Sequence, residues 1–334
     1  MISDMETVIQ MTTNISNMTN ILIPPDGLLL NCTYCRNTRE IINIIVCPLI
    51  LVIGTTGNIL SFLTMTRSKL RTQATSLYLA ALAINDSGAL WFGLFRHYLL
   101  YGYGIEIRQT NVSCKLHVFF TYLFMHNASM LLSVVGIERY ACVCGGGKYR
   151  NMLSVKTTYI IITIVSTFVA IFELHYIVFY RITLHPIKAV PSCTVDPDVN
   201  PIYYYLRENV IAYLQLIVFY LIPFLVLILT DLGIINNIVK SSRRINVSIS
   251  KRRVTMSMMM ISVSFYFLMT TPAQLYLSFV QFLEKRQNFL MEWTVTTLIY
   301  YTHHALNFFF YCLTSSLFRN ELLQMTSSWR KFIA

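Results

Sequence analysis

Seven long apolar stretches constrain the fold of this chain more than any other feature of its sequence. They cover roughly residues 41–66, 74–101, 111–143, 155–180, 207–240, 250–283 and 291–314. Each is long enough to cross about 30 Å of hydrocarbon at roughly 1.5 Å per helical residue. A backbone in lipid must satisfy its own hydrogen bonds, and the period-2 alternation of a barrel is absent. We therefore predict an all-α membrane protein, a seven-transmembrane helix bundle.

The composition agrees with a chain whose surface faces lipid. Only 12% of the 334 residues are charged, whereas 55% are hydrophobic, and a soluble domain carries about twice that share of charge. The net charge of +11 would suggest a nucleic-acid partner for a soluble protein. Because the basic residues here lie in short clusters between apolar stretches, we expect membrane topology to explain them and no nucleic-acid partner.

Lys and Arg residues are divided unequally between the two sets of loops. The richer set includes Arg67, Lys148, Arg243, Arg252 and Arg319. Loops rich in these residues remain cytoplasmic, so we expect the N-terminus to be extracellular. The predicted location is the plasma membrane, which the chain crosses several times.

The residues before the first apolar stretch form a polar segment rich in Asn and Thr. Residues 1–40 carry sequons for N-glycosylation at Asn14, Asn17 and Asn31. This predicts an extracellular glycosylated tail, followed by the membrane domain over residues 41–314.

The residues after the last apolar stretch have an amphipathic pattern. Leu317, Phe318, Leu322 and Met325 share one face if the segment is helical. Residues 315–334 are therefore predicted to form a short cytoplasmic helix on the membrane lipid surface, followed by a short tail.

Two of the eight cysteines are placed for an exterior disulfide. Cys114 begins the third apolar stretch, and Cys193 lies in the exterior loop after the fourth. Exterior thiols oxidise, so a Cys114–Cys193 bridge is expected to hold that loop over the bundle. Cys32 and Cys35 offer an alternative local bridge. They lack the second ligand pair that a zinc site needs, so we expect no metal.

Polar residues at mid-membrane depth indicate an internal network. Asn58, Asp86 and Asn307 lie in the first, second and seventh apolar stretches. Each is costly in lipid and needs a partner. The alternative is a purely structural contact between helices.

A charged triplet, Glu138-Arg139-Tyr140, ends the third apolar stretch. The segment from Cys114 to Arg139 corresponds to about 37 Å of helix, which places one residue at each membrane face. An Arg at a helix end also occurs where its side chain simply reaches the membrane surface.

Together these residues resemble the rhodopsin-like (class A) G-protein-coupled receptors over residues 41–325. The match rests on Gly57-Asn58, Leu82 to Asp86, the Cys114 to Arg139 spacing, Glu138-Arg139-Tyr140, Pro223, Pro272, Asn307 with Tyr311, and Phe318-Arg319. The stretch from Gly57 to Ala83 is similar to invertebrate neuropeptide receptors of the FMRFamide-receptor kind.

The resemblance implies a receptor for an extracellular ligand, expected to be a peptide. Ligand binding between the outer helix halves would displace helix six and let a heterotrimeric G protein bind beside Arg139. Arrestin is a further partner to consider. The implied coupling and switch residues are Glu138, Arg139, Tyr140, Asp231, Pro272, Asn307 and Tyr311.

The sequence also departs from the family pattern at switch positions. Phe308 replaces the Pro of Asn-Pro-x-x-Tyr, Thr270 replaces the Trp before the helix-six Pro, and Asp231 replaces a Tyr. We expect Asp231 to pair with Arg139 and hold the receptor inactive. These losses leave open a constitutive or silent receptor-like protein without a soluble agonist.

Two histidines lie where the family often holds sodium beside the helix-two Asp. At these positions the chain has His303 and His304, and a His near Asp86 would replace sodium with a pH-sensitive ion pair. The alternative is a core histidine whose hydrogen bonds are satisfied. We assign Asn58, Asp86, His303 and His304 to a polar core.

The predicted ligand pocket follows from helix depth. Aminergic family members carry an Asp where this chain has Thr121, so a monoamine is not expected. Arg96 needs an anionic partner, either a ligand carboxylate or Glu173. The candidate residues are Arg96, Thr121, Tyr122, Met125, Gln215, Gln274, Trp293, Thr297 and Tyr301.

Other function classes have less support. The histidines are scattered without a catalytic or metal motif, so we expect neither an enzyme nor a cofactor. A membrane transporter would show interrupted helices in inverted repeats, and we find no such symmetry.

Overall fold

A computed structural model describes the backbone of residues 26–67, 69–145, 154–184, 191–242, 251–284 and 290–333. Side chains are described over 38–67, 69–145, 154–183, 191–240, 254–272 and 291–327. The predicted glycosylation sites and the Cys32–Cys35 pair lie outside the described side chains, and so does Gln274.

Long helices form one bundle in the described part of the chain. They are α1 (Asp26–Met65), α2 (Ala74–Tyr103), α3 (Asn111–Cys144), α4 (Val155–Phe179), α5 (residues 201–242), α6 (Lys251–Glu284), α7 (Leu290–Thr314) and α8 (Ser316–Ile333). An antiparallel hairpin of β1 (Tyr180–Leu184) and β2 (Pro191–Val195) joins α4 to α5. The predicted all-α seven-helix bundle is confirmed.

The helices differ in how apolar they are. Within the described residues, α1 to α6 each contain a segment long and apolar enough to cross a membrane. Helix α7 has 25 residues, and buried polar side chains such as His303, His304 and Asn307 lower its hydropathy. It packs between α1 and α6 and closes the bundle.

Helix α1 begins earlier than the sequence analysis predicts. It starts at Asp26, inside the segment expected to be a tail, rather than near residue 41. An acidic residue in a first helical turn interacts favourably with the helix dipole, which suits a start at Asp26. Similarly, α8 continues to Ile333, so the helix also covers residues that were expected to form a short tail.

Prolines and π-turns interrupt the regular hydrogen bonding of several helices. Pro48 and Pro272 lie inside α1 and α6, while Pro223 follows a π-turn at Ile217–Leu221 in α5. Pro223 cannot donate to the carbonyl of Phe219, one turn earlier. The Ser129 hydroxyl of α3 donates to that carbonyl instead, at 2.6 Å. Another π-turn, Ala89–Leu94, divides α2.

The two ends of the bundle are named here by their best-defined features. At the disulfide end, Cys114 of α3 is bonded to Cys193 of β2, with 5.5 Å between their Cα atoms. The largest apolar cluster of the described residues lies towards the Arg139 end. It includes Met65, Leu79, Leu131, Met259, Tyr311 and Phe318.

Candidate functional site

A cavity of about 620 Å³ opens at the disulfide end of the bundle. Helices α2, α3, α5 and α7 form its walls, and Cys193 and Thr194 of β2 lie along its rim. The disulfide therefore holds the hairpin against the mouth of the cavity. A volume of this size suits a small molecule or the end of a peptide.

The structure brings together most of the predicted ligand-binding residues. Within the described side chains, those that line this cavity are Arg96, Thr121, Tyr122, Met125, Gln215, Trp293, Thr297 and Tyr301. Their shared location agrees with the depth argument, and their contact with a ligand stays a prediction.

Arg96 has an internal partner, but the partner is not Glu173. The Arg96 Nε donates to Glu106 Oε1 at 3.0 Å, and its Nη2 pairs with the other carboxylate oxygen. Arg108 also reaches Glu106, with its Nη2 3.2 Å from Oε2. Of the two alternatives for Arg96, an internal partner is present, but it is Glu106 in the loop between α2 and α3 rather than Glu173.

A left-handed residue makes this return possible. Gly104 ends α2 at φ 73°, and the Gly104 and Ile105 amides donate to carbonyls of the last turn at 3.0 Å. Burial alone would raise the pKa of Glu106. Hydrogen bonds from Arg96 and Arg108 outweigh that effect and lower the pKa to about 2. Glu106 is thus a carboxylate at neutral pH.

A second polar group lies where His126, Tyr176 and Gln215 line the cavity. Glu173 of α4 is fully buried and bonds His126 Nδ1 of α3 at 2.8 Å. Gln215 of α5 donates to the other Glu173 oxygen at 3.0 Å and to the Tyr176 hydroxyl at 2.9 Å. The His126 ring stacks on Phe219 with 4.2 Å between centroids. These contacts tie three helices together.

His126 lines the cavity but is not one of the predicted pocket residues. It lies one helical turn after Tyr122, which was included, so the i, i+4 spacing was an available signal. Its partner on α4 was not, because which faces of α3 and α4 meet depends on the packing of the whole bundle.

The predicted polar core is assembled around Asp86. His304 Nδ1 lies 2.7 Å from Asp86 Oδ1, and Asn307 donates to Oδ2 at 2.7 Å. Asn58 joins them indirectly by donating to the His304 backbone carbonyl at 3.0 Å. His303 is buried beside this group, with its ring edge-on to Phe267. A His–Asp pair thus connects α2 to α7.

The charged triplet closes the Arg139 end. Arg139 Nε donates to Glu138 Oε2 at 2.6 Å, and the Thr75 hydroxyl of α2 donates to the same oxygen at 3.0 Å. Both charged side chains are buried. Tyr140 is more exposed, at 43%, and its ring lies against Gly233 of α5.

The predicted pairing of Arg139 with Asp231 is wrong for this structure. The guanidinium bonds Glu138, its neighbour on α3, whereas the Asp231 carboxylate is buried with Oδ2 unpaired among the described residues. Asp231 faces Ser264 of α6. The adjacent carboxylate needs no rearrangement to reach Arg139, so it outcompetes a partner on another helix.

The side chains at the remaining switch positions make local contacts within the bundle. Tyr311 is buried against Phe318 of α8, with 5.6 Å between ring centroids. Phe308 packs against Phe318 as well. Thr270, two residues before the exposed Pro272, donates back to the Tyr266 carbonyl at 3.1 Å. Among the described residues, no cluster of His, Cys, Asp and Glu is placed to hold a metal.

A comparison with known protein families matches most of the chain to one family model. The model described as "7 transmembrane receptor (rhodopsin family)" matches residues 57–311. This range includes the cavity walls, the polar core and the charged triplet. No curated protein matches the chain significantly.

Proposed function

The chain belongs to the rhodopsin family of seven-transmembrane receptors, and from this membership we propose its ligand and its output. We propose that it binds an extracellular peptide in the cavity at the disulfide end. Binding then activates a heterotrimeric G protein at the Arg139 end. In this proposal the N-terminus is extracellular and the receptor acts at the plasma membrane as a neuropeptide receptor.

The observation that carries the proposal is the position of two features along α3. Met125 and His126 line the cavity, and the buried Glu138–Arg139 pair lies at the far end of the same helix. About 20 Å of helix separate them at roughly 1.5 Å per residue. A ligand that moves α3 or its neighbours can therefore bias a charged contact at the other end.

Several properties of the cavity favour a peptide over a small amine. Its wall contains Tyr101, Tyr122 and Tyr301 together with the amide of Gln215, a mixture that suits peptide groups. Thr121 stands where a carboxylate for an amine would be expected. The β1–β2 hairpin at the rim offers further backbone groups.

The mechanism is a two-state equilibrium of the bundle. In this structure Arg139 is engaged by Glu138, and Thr75 of α2 braces the same carboxylate. An outward displacement of α6 would open the space beside Arg139 for a G-protein segment. A ligand favours that state only to the extent that it binds it more tightly.

The proposal is tested in cells that express the full chain together with labelled G-protein subunits. Peptide pools are added, and separation of Gα from Gβγ is followed by energy transfer. We expect at least one pool to give a response that Arg139→Ala abolishes and Arg181→Ala retains. Arg181 is a matched control because it lies on β1 and does not line the cavity.

Surface labelling of the same cells separates absence of function from absence of protein. A parent receptor that reaches the surface, has no basal activity and responds to no pool would contradict the proposal. That outcome would favour the silent receptor-like protein, which the substitutions Thr270, Asp231 and Phe308 leave open. Recruitment of arrestin can be measured in the same cells as a separate output.

A further inference from the structure

The charges at the mouth of the cavity are not balanced. Arg96 and Arg108 both bond Glu106, so two guanidinium groups share one carboxylate. Among the described residues, no other carboxylate is bonded to either of them. The nearby Arg207 has its own partner in Glu208, and Glu173 is taken by His126 and Gln215. Within the group formed by Arg96, Arg108 and Glu106, the positive charges therefore exceed the negative charges by one.

The geometry leaves donors of this pair unused. Arg96 and Arg108 each present their Nε and Nη2 edge to Glu106. The Nη1 group of each guanidinium has no acceptor among the described residues. Both side chains line the cavity and are less than one-fifth exposed. Poorly solvated guanidinium groups with free N–H donors favour an anionic partner.

Two neighbouring histidines also have ring nitrogens without hydrogen-bond partners among the described residues. His97 follows Arg96 on α2, lines the same cavity and is only 6% exposed. Its Nε2 has no hydrogen-bond partner in the described residues. The Nε2 of His117, on the facing wall, is also unpartnered. Buried ring nitrogens without partners are uncommon, and a polar ligand group would satisfy them.

We infer that the Arg96–Arg108 pair forms a carboxylate-binding subsite, so that the ligand of this cavity presents an acidic group to it. Planar carboxylates match the two parallel N–H donors of a guanidinium, whereas an amide or an amine does not. This inference deepens the proposed function and rests on its choice of cavity. It applies equally to a free peptide C-terminus and to an acidic side chain.

The experiment uses the purified full chain in lipid nanodiscs and three small probes at constant ionic strength. N-acetylphenylalanine carries a terminal carboxylate, and its primary amide differs only in lacking that charge. N-acetylglutamic acid α-amide carries the carboxylate on its side chain. Binding is measured as the rise in unfolding temperature with probe concentration, up to the solubility limit.

We expect the acid probes to bind the parent at least about tenfold more tightly than the neutral amide, as for a charge-assisted hydrogen-bond pair. Arg108→Gln should abolish this preference, because it leaves one guanidinium for one carboxylate. Arg181→Gln should retain it. The stronger of the two acids identifies whether a terminal or a side-chain carboxylate fits.

Glu106→Gln provides a second variant with the opposite expectation. Removing the internal negative charge leaves both guanidinium groups without an ionic partner, so acid probes should bind more tightly than in the parent. Equal binding of acid and amide, no binding of any probe, an acid preference that survives in Arg108→Gln, or weaker acid binding in Glu106→Gln would each overturn the inference.

The result is separable from the test of the proposed function. Peptide-driven G-protein activation without a preference for acid probes would refute only the carboxylate-binding subsite. A preference for acid probes in nanodiscs without any G-protein response in cells would support the subsite and refute the proposed signalling.

Discussion

Glu106 makes the loop between α2 and α3 sensitive to acid, and Glu106→Gln is the perturbation that measures this. The carboxylate accepts hydrogen bonds from Arg96, from the Arg108 side chain and from the Arg108 amide. A glutamine has the same shape and no charge. It can keep part of the geometry while losing the ionic contribution, so the variant isolates the charge.

The pKa of Glu106 gives the magnitude. It lies at about 2, against an ordinary value of 4.5, and each pH unit corresponds to about 1.36 kcal/mol. The ionised form would therefore contribute roughly 3 kcal/mol to the free energy of unfolding at neutral pH. Since 29% of the side chain is exposed, solvent screening should reduce this to about 1–2 kcal/mol.

The sign follows from the direction of the pKa change. A lowered pKa in the folded state gives stability that is fully present above the unfolded value of 4.5. The stability is then lost as the pH falls towards about 2. Parent and Glu106→Gln should thus differ most near neutral pH and converge under strongly acidic conditions.

The assay is thermal unfolding of the two proteins in nanodiscs across an acidic pH series at one scan rate. Glu292→Gln is the matched control, because Glu292 is exposed at the start of α7. A stability difference that does not change with pH would refute the reasoning. So would an effect of Glu292→Gln equal to that of Glu106→Gln.

Three further predictions concern other parts of the molecule. Gly104→Ala should destabilise the protein by about 1–2 kcal/mol, because an L-residue is strained at φ 73°; unfolding temperatures check this, and an unchanged value would contradict it. Glu138→Gln should raise basal G-protein activation by freeing Arg139, whereas Asp231→Asn should not; a rise with Asp231→Asn alone would reverse our assignment. His304→Asn should change the sodium and pH response of signalling, since His304 bonds Asp86; dose–response curves identical to the parent would exclude that role.

Features that depend on position along one helix could be predicted from the sequence. Asp86 and Asn307 occur at mid-membrane depth, and burial in lipid forces such groups to find each other. The pairing of His304 with Asp86 follows the same rule. Thr121, Met125 and Thr297 were also predicted correctly to share one cavity. Their depth in the membrane could be estimated because a helix advances by a constant distance per residue.

Features that depend on loops or on facing helices could not be predicted in this way. Glu106 reaches Arg96 only because Gly104 turns the chain back over α2, and periodicity contains no signal for that direction. The contact between His126 and Glu173 needs the relative rotation of α3 and α4. Arg139 bonds the adjacent Glu138, and that Asp231 of α5 does not compete with it depends on how α5 packs against α3.

The π-turn in α2 has a consequence for how this receptor can change over evolution. A wide turn holds one residue more than an α-turn, so everything beyond Ala89–Leu94 is rotated by about 100° relative to an unbroken helix. Deleting one residue there would restore the regular turn and leave Arg96 and His97 directed at the cavity, whereas closing the turn without a deletion would rotate both away by about 100°. Asp86, on the other side of the turn, would keep its place. The turn can therefore absorb the gain or loss of one residue without changing which residues of α2 face the cavity or belong to the polar core.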